Sequence, residues 1–178
     1  MSVEVDVRVI DKAVKALGKV PNAVEQATAA ALNRAVIAGR TAVSKGVREH
    51  YTIRASDIKG QVCIKRAAKS SLEAAVTISG SPIDLTNFRV RISRRGAYAQ
   101  VKKGSGGILP RSFFMAVGKA GLYHRASESR LPIQREFGPS VPQMAGETNV
   151  SKGVQERMQE VFQTRFEHEV MRRLEVME

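Results

Sequence analysis

Near the end of the chain, seven apolar residues recur at four-residue intervals: Val150, Val154, Met158, Phe162, Phe166, Val170 and Leu174. An α-helix brings residues four apart onto one face, so this row predicts a single amphipathic helix over Val150–Met177. A second helical stretch opens at Pro21 and Asn22 and runs to about His50. In it Val24, Ala27, Ala31, Ala35, Ala38 and Ala42 recur at spacings of three and four. At 1.5 Å per residue each helix spans roughly 40 Å, about the full width of a domain of this size. The alanine face is small and suits close packing rather than a ligand pocket. Gly39 and Gly46 each weaken the helix by ~1 kcal/mol relative to alanine, so a bend is expected there.

Between these helices the period changes to two. Gln61–Ala67 and Leu72–Ser79 read as strands, and Gly80-Ser81-Pro82 as a turn. Arg89–Ser93 and Ala97–Lys102 flank Arg95-Gly96 as a hairpin. Ser112–Val117 and Leu122–Arg125 form a second one beyond the loop Gly104–Gly107. At the start, Val3, Val5, Val7 and Val9 alternate with charged residues as a strand, and a short helix is expected over Lys12–Lys19. Leu131–Met144 contains Pro132, Pro139 and Pro142 and is expected as an extended, non-helical arm. With 178 residues the chain is expected to be one domain, 1–178. Its fold class is α+β: two long helices packed on a mostly antiparallel sheet, plus the proline-containing arm.

Charge is the second constraint. The chain carries 29 Lys+Arg against 17 Asp+Glu, a net +12. Nine of the basic residues lie between Phe88 and Ala126, where no acidic residue occurs: Arg89, Arg91, Arg94, Arg95, Lys102, Lys103, Arg111, Lys119 and Arg125. Most of the excess is therefore local. In the strand Arg89–Ser93 the arginines 89 and 91 share one face, and Val90 and Ile92 the other. Exposed arginines for solubility are the plain reading. A row of like charges also calls for an anionic counter-surface, phosphate or acidic protein, and that reading is expected for Arg89, Arg91, Arg94, Arg95, Lys102, Lys103 and Arg111. Few aromatics accompany them, only Phe88 and Tyr98, so sequence-specific readout of single strands is not expected.

Chemistry is not expected of this chain. Lys102–Gly107 lacks the Gly-Lys-Ser/Thr order of a phosphate loop, and Pro110 follows it. His50, His124 and His168 lie on separate elements without paired ligand spacing. Asp84, Glu128 and Glu136 are scattered, and no nucleophile–base set can be argued. No cofactor, metal or small-molecule substrate is expected. Cys63, alone, reads as a small buried hydrophobe. No stretch longer than ten residues lacks a charge, so no membrane span is expected. The start has neither the basic nor the apolar region of a signal peptide, and a soluble protein of a reducing compartment is expected.

Several ordered features together carry a family resemblance. Ala31-Leu32-Asn33-Arg34 lies in the alanine-rich helix, which runs on to Arg48-Glu49-His50-Tyr51 and then Ile53-Arg54-Ala55-Ser56-Asp57-Ile58. Phe88-Arg89-Val90-Arg91 follows, and a Gly-rich basic loop precedes Leu109-Pro110-Arg111-Ser112-Phe113. The most specific run is Leu131-Pro132-Ile133 with Gly138-Pro139-Ser140-Val141-Pro142. From about Ala13 to Leu174 the chain resembles the prophage minor tail protein Z family of long-tailed phages and their prophages. The resemblance implies a non-enzymatic tail-completion component acting where the finished tail meets the head. It implies other tail proteins as partners (tube or terminator, neck), and a location in the host cytoplasm during assembly and in the virion tail afterwards. A homo-oligomeric ring around or next to the DNA path, with sequence-independent DNA contact, fits the basic composition. Part of the arm, through Leu131, Pro132, Ile133, Phe137, Gly138, Pro139, Val141 and Pro142, is expected to dock on a neighbour, or else to fold back on its own domain. The alternative function is a stand-alone basic nucleic-acid binder without an assembly role.

Overall fold

The computed structural model describes residues 22–94, 96–116, 118 and 120–175. The expected strand Val3–Val9 and helix Lys12–Lys19, with Arg95 and Lys119, lie outside them. The fold is α+β, and the described residues group into two compact units.

The first unit combines residues 22–43, 62–77 and 148–175. It contains most of helix α1 (Ala23–His50, completed in the second unit) and all of the last helix, Thr148–Glu175. Strands β1 (Val62–Lys65) and β2 (Ala75–Ile78) pair beside them. The four-residue row behaves as its spacing demands: Val150, Val154, Met158, Phe162 and Phe166 are all buried, and the last two rings stack 5.6 Å apart. On α1 the buried stripe is not the alanine row alone. Ala27, Ala31 and Ala35 are buried, whereas Ala38 and Ala42 are half-buried and Leu32, Val36, Val43 and Val47 go deeper. Asn33 ties α1 to the β1–β2 connection by a two-way bond: its amide donates to Ala67 O at 3.0 Å and its carbonyl accepts from Ala67 N–H at 2.9 Å.

No break is assigned at Gly39; α1 is continuous from Ala23 to His50. The reason for a glycine there is contact. A Cβ at Gly39 would lie 2.5 Å from Met158 Sδ and 3.2 Å from a Val76 methyl, so the glycine admits the side chain of the opposing helix. Cys63, expected inside, is exposed: on β1 Val62 takes the buried side and Cys63 the outward one.

The second unit combines residues 44–61 and 78–147. After the short helix α2 (Ala55–Lys59) come two three-stranded antiparallel sheets rather than the one sheet expected. The first is β3 (Arg89–Ser93), β4 (Gly96–Gln100) and β5 (Gly107–Leu109), with β4 central. The second is β6 (Ser112–Met115), β7 (Gly121–Arg125) and β8 (Ile133–Arg135), with β7 central. Both expected hairpins form, β3–β4 and β6–β7. Ser112 joins the two sheets: its hydroxyl donates to Leu109 O at 2.6 Å and accepts from Ala97 N–H at 3.0 Å.

The arm is not extended throughout. Ile133–Arg135 is a strand of the second sheet, and Val141–Ala145 is a helix, α3, which precedes the last helix, α4 (Thr148–Glu175). Proline was read as a breaker, yet Pro142 stands in the first turn, where a missing N–H costs nothing. Ser140 and Gln143 form a reciprocal capping box around it. Residues 83–85 lie against 136–138 through Leu85 N–H to Glu136 O (3.2 Å) and Gly138 N–H to Ile83 O (2.7 Å). A Cβ at Gly138 would stand 2.5 Å from the Phe88 ring, so this pairing requires glycine. Phe137 does face outward (54% exposed), placed there by its bridge to Asp84. Val141 and Met144 are fully buried.

Asp84 and Arg135 fasten the arrangement. Arg135 Nε donates to the Asp84 carboxylate and its Nη2 to Ala120 O at 2.8 Å, while the guanidinium lies over the Tyr123 and Phe137 rings at 5.9 and 6.0 Å. Asp84 also accepts from the Thr86 N–H (2.8 Å) and hydroxyl, capping the 3₁₀ turn Leu85–Asn87. Burial alone would raise the Asp84 pKa. The bonds from Thr86 and then Arg135 outweigh it and hold the carboxyl below its ordinary value.

Three outcomes follow for stability. Gly39→Ala lowers stability by about 1–2 kcal/mol despite alanine's better helix propensity, because Met158 must move. In a Met158→Ala background the same change raises stability by about 0.5–1 kcal/mol; a denaturant double-mutant cycle reads the reversal. A folded-state carboxyl with a depressed pKa stabilises above its unfolded pKa and loses that contribution as pH falls through the folded value. Asp84→Asn therefore lowers the neutral-pH melting temperature, and between about pH 4 and 2 the variant loses less further stability than wild type. Finally, Val141→Ala costs about 1–3 kcal/mol and Phe137→Ala under about 1, measured by urea titration.

Candidate functional site

The edge strand β3 carries Arg89 and Arg91, both exposed, in register opposite Gln100 and Tyr98. As expected they alternate with Val90 and Ile92, which pair with Ala99 and the fully buried Ala97. The expected inward side is only partly covered, however: Ile92 is 60% exposed, since an edge strand has a neighbour on one side alone.

The seven basic residues expected to act together are not all in one place. Lys102 and Lys103 sit beyond β4, beside residues 50–52, where Lys103 N–H donates to His50 O at 2.8 Å. Lys102 is already neutralised. Its ammonium pairs with Glu147 and lies 5.5 Å from the Tyr51 ring centroid. Glu147 is held below the usual carboxylate range first by Lys102 and then by the Tyr51 hydroxyl, and the Lys102 pKa is raised mainly by Glu147. This lysine belongs to a local ion pair rather than to a free cationic face. Arg95 lies outside the described residues.

Arg94 and Arg111 converge instead on a groove of about 760 Å³ formed where the β3–β4 turn meets β6 and the end of β7. Arg125, the last residue of β7, joins them; it was counted in the basic run but not singled out. All three arginines are exposed, and none has an ion-pair partner among the described residues. Glu128 is the one carboxylate among the described lining residues, and Ile92 and Phe114 (43% exposed) supply apolar surface. Arg111 has φ 61°, in the left-handed region that costs a non-glycine residue about 1–3 kcal/mol. That strain turns the chain between β5 and β6 and sets Arg111 on the groove.

Arg135 and Asp84 hold the fold, and His124 Nδ1 lies 2.8 Å from Glu136 Oε1 on the second sheet. His168 is exposed on α4. Among the described residues no group of three or more His, Cys, Asp or Glu could hold a metal ion, and no helix is long and apolar enough to cross a membrane.

A family model described as prophage minor tail protein Z (GPZ) matches residues 7–178. The chain belongs to the prophage minor tail protein Z family. It is therefore a phage tail component by family, with other tail proteins as its natural neighbours. No curated protein and no solved structure matches the chain at a significant level. In this tail protein the arginines of β3 and the groove are exposed, as are Phe137 and Leu131 of the arm.

Arg111 offers a separation of stability from function. Arg111→Gly relieves the left-handed backbone and removes a charge, so thermal unfolding should show unchanged stability or a gain of up to about 1 kcal/mol.

Proposed function

We propose that this minor tail protein is a structural part of tail completion and head–tail joining, working as a ring around or next to the DNA path and catalysing no reaction. It assembles in the host cytoplasm, engages the tube or terminator and the neck, and remains in the virion tail. The observation that carries this reading is the basic surface: Arg89, Arg91, Arg94, Arg111 and Arg125 are exposed without ion-pair partners among the described residues, in a chain of net +12. Like charges held this close repel unless a counter-surface meets them, and assembly supplies one. Rings arise from heterologous contacts between unlike faces of identical subunits, and two unlike faces are available here, the basic β3 edge and the long α4. The family membership favours a tail role over a stand-alone nucleic-acid binder.

The test is made in the intact phage. Arg89→Ala with Arg91→Ala should lower the titre at least tenfold and leave tails unjoined to heads in electron micrographs, with the purified variant melting within a few degrees of wild type. Wild-type titre from a variant lacking Arg89, Arg91, Arg94, Arg111 and Arg125 refutes the reading. Where the counter-surface is DNA, each lost phosphate contact removes ~0.9 from the slope of log affinity against log salt, so the Arg89/Arg91 pair removes ~2.

A further inference from the structure

The groove has a mixed chemistry that narrows its occupant. Three arginines without an ion-pair partner among the described residues, Arg94, Arg111 and Arg125, line it, yet Ile92, Phe114 and Glu128 line it too. A phosphate backbone offers nothing to the two apolar side chains, and Glu128 would oppose it. Single-stranded nucleic acid stacks successive bases on a series of open rings. Here Phe114 is the exposed ring, because Phe113 is already engaged with Tyr123 at 6.5 Å. Reading a duplex by its bases, moreover, takes an element inserted into its groove, which a concavity does not supply. A polypeptide can satisfy all of these features at once. Carboxylates take the guanidinium groups in bidentate pairs, and apolar side chains cover Ile92 and Phe114. Backbone N–H groups can meet Glu128.

We propose that this groove docks an extended acidic segment of a partner tail protein, one in which carboxylate and small apolar side chains alternate. Alternation follows from strand geometry, which sends successive side chains to opposite sides: one set meets the arginines and the other the apolar wall. The proposal rests on the reading of this chain as a component that joins other tail proteins, and it names the chemistry of one such neighbour.

The probe is a fluorescein-labelled eight-residue peptide of alternating glutamate and valine, titrated into the purified full chain and followed by anisotropy. Saturable binding is expected. It should weaken at least tenfold in Arg94→Ser/Arg125→Ser, and separately in Ile92→Ser/Phe114→Ser, with both variants checked for folding by their melting curves. Should the arginine variant fail to fold, Arg111→Gly gives the charge readout on a backbone it does not strain. A lysine–valine peptide and a 20-base-pair duplex should not displace the probe. Lack of saturable binding overturns the proposal, as does binding indifferent to Ile92→Ser/Phe114→Ser. Displacement by the duplex makes the groove a phosphate site and also overturns it. Failure of the assembly role shows separately, as full titre after loss of the five arginines, a result that the peptide titration does not depend on.

Discussion

The second unit depends on one ion pair. Asp84 and Arg135 are largely removed from water and lie fifty-one residues apart in sequence. Each holds two things at once: Asp84 caps a 3₁₀ turn, and Arg135 donates to Ala120 O just before β7. An isolated carboxylate in this position would favour its neutral form because of burial. Two hydrogen bonds from Thr86 and the ion pair with Arg135 instead keep it charged. Partly buried pairs of this kind are costly to break singly, because the remaining partner is left without compensation. The pair consequently fixes β8 against residues 83–85 and orders the start of the arm. The far end of β7, which carries Arg125 to the groove, runs antiparallel to that same β8.

Much of the architecture was legible because periodicity reports burial. The four-residue row of α4 buries five of its seven members, and both expected hairpins form, the first with Gly96 already in β4 opposite Ser93. What was missed had other causes. Gly39 looked like a weakness in a helix, since a sequence shows the loss of propensity but not the methionine that fills the space. The short helix at Val141 did carry a signal, Ser140-Val141-Pro142-Gln143, which is a capping box with proline in the first turn. Counting prolines concealed it. Cys63 and Ile92 show the same limit from another side: alternation gives the two faces of a strand, but not which face, or how much of it, the rest of the chain covers.

The candidate site was legible as composition and illegible as grouping. A run of nine basic residues without an acidic one marks a region, and the region does contain the groove. Sequence proximity placed Lys102 with the arginines, whereas Glu147, forty-five residues away, pairs with it. Arg125 joins Arg94 and Arg111 only because β7 runs antiparallel to β6 and returns its last residue to the start of that strand.

The distribution of ion pairs then argues for an assembled state. Several cations of this chain are neutralised by a nearby carboxylate: Lys65 with Glu73, Lys102 with Glu147, Arg157 with Glu160 and Arg173 with Glu169. The exposed pairs among these add little stability each, about 0–1 kcal/mol, and are replaceable. The arginines of β3 and the groove have no such partner among the described residues, as is true of Arg66, Lys69, Lys103 and Arg130, but three of them line one groove and Arg111 is held there by a strained backbone. In water at physiological salt their mutual repulsion is screened over about 8 Å, so a free monomer tolerates them. Covered by a partner they lose that screening, and each carboxylate or phosphate brought opposite counts for more than it would in solution. A surface of this kind is tolerable when alone and strongly favourable only when matched, which is the property a joining component requires.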